Sequence, residues 1–239
     1  MRFASLLRYG LAAGAAAGLG AALSLWLLVE PVIRRALVIE NARGMPEHDE
    51  VVTRGQQVVA GLLTEVVVGA LFGLVFAIVF AKVQHRLPGR SDQGRAIALA
   101  LLGFGVFVVL PAIRIPANPP SVGDPATVGR RTLIYLATIL FGLLIAGAGF
   151  ALDAWLRRTT VSPAVRRCLV VLGAVAGFAV LMLVVPPSPD RVPPDVPAGL
   201  IWQFRTVSLA QLAVLWGVLG LGFGLLVERR AARRSPVAA

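Results

Sequence analysis

The chain has 239 residues, 57% of them hydrophobic and 15% charged. Its mean hydropathy is +0.82, well above the roughly half-apolar usage of soluble domains, which excludes a water-soluble fold. The formal charge of +11 sits in clusters between long apolar runs, so it reads as membrane-orienting charge and not as a nucleic-acid surface.

An all-α, polytopic membrane helix bundle is predicted, with six transmembrane helices over about 6–29, 58–81, 96–113, 133–152, 168–185 and 207–227. Together they make a single transmembrane domain, 1–230, followed by a cytoplasmic tail, 231–239. The first run follows Arg2 and Arg8, is long for a signal peptide and continues into Glu30-Pro31, so it is expected to stay as an uncleaved span. It carries Gly10, Gly14 and Gly18 at four-residue spacing, a stripe that lets another helix approach closely. The loop beyond it contains Glu47-His48-Asp49-Glu50. His48 with its acidic neighbours is a candidate divalent-cation collector, though four adjacent ligands make a poor cage and a solvated acidic turn is the preferred account.

The second run places Gly61, Glu65, Gly69 and Gly73 on one helical face. Glu65 is the one acid inside a predicted span, where ionisation costs about 2.5–3.5 kcal/mol and such groups line pathways or pair with other charges. Counted from Val58 it lies about 10 Å deep, so contact with outer water is the competing account. The third run leads into the loop Leu110 to Thr132, and the fourth into the Arg-rich turn Asp153 to Arg167. Gly173 with Gly177 and Gly220 with Gly224 repeat the packing spacing on the fifth and sixth runs.

With the amino terminus inside, the inner segments carry 14 basic and 3 acidic residues and the outer ones 9 and 8. Basic loops remain cytoplasmic, so both termini are expected there, in a multi-pass protein of the bacterial cytoplasmic membrane. The outer loops are the longer and Pro-rich ones, and any chemistry is expected to face outward. No phosphate-binding loop, zinc-protease motif or nucleophile elbow occurs, and the two histidines offer little for acid–base work, so no enzyme is expected. Cys168, the sole cysteine, excludes an intrachain disulfide.

The most specific segment reads Asn118-Pro119-Pro120-Ser121-Val122-Gly123-Asp124-Pro125-Ala126-Thr127-Val128-Gly129-Arg130-Arg131-Thr132. It resembles the signature loop of the CbtA family, the predicted cobalt transporter membrane subunit. Val29-Glu30-Pro31, Thr53-Arg54-Gly55 and the stretch from Val196-Pro197-Ala198 to Trp202-Gln203-Phe204-Arg205 agree in order, so the resemblance runs from about Leu6 to Glu228. It implies Co²⁺ as the transported substrate, a link to cobalamin production, no permanently bound cofactor, and a small single-span subunit with a His-rich end. Family members are described with five spans, whereas hydropathy and charge here count six.

On this reading Glu65, Asp124, Asn118, Glu30 and His48 are candidate ion-pathway residues, and Arg114, Arg131 and Arg205 candidate partners for their carboxylates. Turn chemistry and interfacial anchoring account for the loop as well: Asp and Asn bond their own backbone, and boundary arginines reach the headgroups. A homo-oligomer stays open, and a membrane scaffold or assembly protein that binds another protein through its glycine faces and moves nothing is the alternative to transport.

Overall fold

The structure is a computed structural model that describes residues 3–43, 52–120 and 122–232. Six helices are long and apolar enough to cross a membrane: α1 (Phe3–Ala42), α2 (Arg54–Val83), α3 (Asp92–Arg114), α4 (Val128–Leu156), α5 (Pro163–Val184) and α6 (Ala198–Ala232). Among the described residues there is no strand, in keeping with the all-α expectation. The helices run past the apolar stretches because their ends are stopped by caps, not by hydropathy. Thr53 and Gln56 form a reciprocal capping box at the start of α2. Ser162 caps α5 ahead of Pro163, and Pro186-Pro187 follow its last turn.

Prolines shape two helices from within. Pro31 and Pro111 lack an N–H and their rings crowd the carbonyl four residues back, so each is preceded by a widened π-turn, Leu25–Val29 and Gly105–Val109. The Glu30 N–H accordingly bonds Leu25 O, five residues back.

Contacts divide the chain into two compact units. The first comprises α1, α2, α3 through Phe104, residues 118–120, and α6 with its lead-in from Pro193. Here the glycine stripes do what their spacing predicts. A Cβ on Gly10, Gly14 or Gly18 would come closer than 3.0 Å to backbone of Gly73, Gly69 or Glu65, and the same holds in reverse for Gly69 and Gly73. In lipid, where apolar surface gains nothing from helix contact, this close approach is what holds α1 to α2. Gly220 and Gly224 bring α6 onto Ala96, Ala100 and Gln93 of α3 in the same way. Gly61 differs, since its nearest neighbour would be Leu25 Cδ2 at 3.9 Å.

The second unit comprises the end of α3 from Gly105 with α4, α5 and their loops. Ile134, Leu181 and Val185 form its core, with Leu110, Phe141 and Ile145 packed against them. Gly177 seats Ile145 and Gly173 seats Leu152. Little of this unit is covered by protein: the most apolar windows of α4 and α5 are 17% and 6% buried.

Candidate functional site

Glu65 stands in the first unit with a polar partner that sequence reading did not identify. Because α2 starts at Arg54, Glu65 lies eleven residues into its helix, about 16 Å along the axis. Gln211 of α6 donates from Nε2 to Glu65 Oε1 at 2.9 Å, and Gln211 is buried. A Cβ on Gly18 of α1 would come within 2.5 Å of the Glu65 carbonyl oxygen, so α1 runs close against the backbone that presents the carboxylate. No ion pair reaches Glu65 among the described residues. A neutral amide satisfies one oxygen and leaves the negative charge uncompensated, which suits a passing cation better than a salt bridge would.

The other candidate acids are engaged differently. Glu30 is buried, and Arg34 Nε at 3.1 Å and Arg54 Nη2 at 2.6 Å take its two oxygens. It ties α1 to the start of α2, and its charge is spent there. Asp124 accepts the Ala126 N–H at 2.8 Å and so caps the turn Pro125–Thr127 ahead of α4. Asn118 Oδ1 accepts from Arg205 Nη2 at 3.0 Å. His48, with Glu47, Asp49 and Glu50, lies outside the described residues.

The three arginines proposed as partners for Glu65, Glu30 and Asp124 make the following contacts. Arg131 pairs with Asp190 at 3.0 Å, and Thr127 Oγ1 donates to the same carboxylate at 2.8 Å. Gly123 has φ +129, and a Cβ there would sit 3.1 Å from Arg131 Nη1, so only glycine leaves the guanidinium its place. Arg114 donates to the carbonyls of Leu181 and Met182, capping the last turn of α5. Arg205 holds Asn118.

Two further latches join the end of α1 to the residues around the start of α6. Arg43 grips Asp195 through Nε and Nη2 at 2.8 and 2.9 Å. That bond holds the Asp195 carboxyl below the usual carboxylate range and raises Arg43 above its own. Arg35 Nη2 reaches Gln203 Oε1 at 2.8 Å. Among the described residues no three His, Cys, Asp or Glu side chains come together as a metal cage.

Fold and site together define a multi-helix membrane protein with one amide-held carboxylate within a span. A family model described as "Probable cobalt transporter subunit (CbtA)" matches residues 3–228. The chain belongs to the CbtA family, and the expected resemblance is thereby the observed one. No curated protein and no solved structure matches it.

Proposed function

We propose that this subunit carries Co²⁺ across the bacterial cytoplasmic membrane with both termini inside, drawing the ion from a small single-span His-rich partner and serving cobalamin synthesis. The observation that carries the reading is Glu65, a carboxylate about 16 Å into α2 that is met by a neutral amide and, among the described residues, by no arginine. A carboxylate and an amide are oxygen donors, adequate for a brief stop on a route where binding must be weak enough to release. Cobalt is better matched by imidazole, and a His-rich partner supplies that at the point of capture. The loop anchored by Asn118–Arg205 and the turn capped by Asp124 shape the outer surface in this account.

The test is uptake of radiolabelled cobalt by cells expressing the chain with its genomic neighbours. Wild type should exceed an empty vector, Glu65→Gln should fall to background, and Asp124→Ala should lose less. Wild-type uptake equal to the vector control ends the reading.

A further inference from the structure

Along the axis of the first unit, α2 and α6 each carry a single carboxylate, Glu65 and Glu228. Among the described residues neither has an arginine partner. Glu65 takes the Gln211 amide, and Glu228 Oε2 is buried with no hydrogen-bond partner among the described residues. The neighbouring Arg230 is turned to α1, where Nη1 bonds the Tyr9 hydroxyl at 3.0 Å and its guanidinium lies over the ring. An acceptor oxygen buried without a donor is costly unless something transient fills the vacancy.

What separates the two acids is aromatic. Gln211 and Glu228 are seventeen positions apart on α6, about 26 Å of helix. Over that length α2 and α6 do not pack backbone to backbone as α1 and α2 do; they meet through rings. Phe72 stands edge-on to Trp216 at 5.3 Å, Phe76 to Phe223 at 5.3 Å and Phe80 to Phe223 at 5.1 Å. Phe80, Leu219 and Phe223 are wholly buried. A seam spaced by side chains can open by rotamer and helix movement, whereas a glycine contact cannot open without parting two backbones. Apolar constrictions of this kind stop ions by excluding water.

We propose that the seam between α2 and α6 is the passage for the transported cation, that the rings of Phe72, Trp216, Phe76, Phe223 and Phe80 are its closed barrier, and that Glu228 is the second cation site, at the opposite end from Glu65. This rests on the transport reading above and assigns it a path.

Thiol accessibility tests it without relying on cobalt. In a Cys168→Ser background, Gln211→Cys, Leu219→Cys and Glu228→Cys are exposed to an impermeant trimethylammonium methanethiosulfonate, in intact cells and in inverted vesicles. Position 211 should label from one side, 228 from the other and 219 from neither. Adding Phe223→Leu, or Phe72→Leu if the first fails to accumulate, should raise labelling of 228 from the 211 side several-fold. A seam dry at both ends, or ring variants that leave the pattern unchanged, overturns the proposal. The expected pattern without cobalt uptake by wild type ends the cobalt reading and leaves the passage; uptake through a dry seam does the reverse.

Discussion

At Gly14 the space left by a missing side chain is occupied by the backbone of Gly69 and Gly73. Backbone cannot yield as a side-chain tip can, so Gly14→Leu is expected to destabilise the α1–α2 contact by about 3 kcal/mol, at the upper end of ordinary overpacking. Gly61→Ala, with open space out to 3.9 Å, should be close to neutral. Thermal unfolding in mild detergent compares the two, and equal losses would mean that the stripe is not what joins the helices. The acids of the second unit make a similar contrast. Asp190→Asn leaves the half-buried Arg131 without its counter-charge, a loss on the order of 1–3 kcal/mol. Asp124→Asn keeps the side-chain acceptor that caps the turn before α4 and should cost only a few tenths of that, by the near-equivalence of the two residues as caps. A larger effect at Asp124 than at Asp190 would contradict this assignment. These residues also show where sequence reading stopped. Glu65 is legible as a lone acid in an apolar run, but its partner Gln211 is 146 residues away, and no local pattern reports which helix will face it. A lone glutamine inside an apolar run was the available signal. Asp190, in a proline-rich cap, gave no comparable cue.

Among the elements, the proline-induced π-turn of α1 sets the azimuth of Glu30. One extra residue per turn rotates everything beyond it by about 100° relative to a regular helix, and Glu30 meets Arg54 in that rotated register. Pro31→Ala permits the turn to relax, so the coupling between Glu30 and Arg54, read by a double-mutant cycle on stability, should shrink toward zero. An unchanged coupling would show that the turn does not depend on the proline. The latch from Arg43 to Asp195 has a defined pH signature. The Asp195 carboxyl is lowered in the folded state by its hydrogen bond to Arg43, so its contribution is present at neutral pH and is lost as pH falls through the folded value, below the ordinary carboxylate range near about 3.9. Melting temperatures of wild type and Asp195→Asn should converge in acid and, since the pair is exposed, in high salt. Helix count and order were legible because about 20 apolar residues are a strong local signal. The π-turns were not, since a proline in a helix can kink it, end it or widen it with the same sequence around it.

For the molecule as a whole, the arginine distribution sets an orientation that labelling can check. Tags fused at Ala239 or inserted near Arg90 should be inaccessible from outside intact cells, and a tag beside Asn118 should be accessible; the opposite pattern would invert the proposed entrance together with the direction of passage. The division into two compact units was not legible, because hydropathy marks each span alike and does not say which spans keep company.

The glycine contact between α1 and α2 has a mechanical corollary. Two helices whose main chains touch move as one body, so on the passage proposed above any movement of α2 relative to α6 falls on the rings that join them. Freezing α1 against α2 with a cross-link should therefore leave turnover intact, while the same staple between α2 and α6 should arrest it.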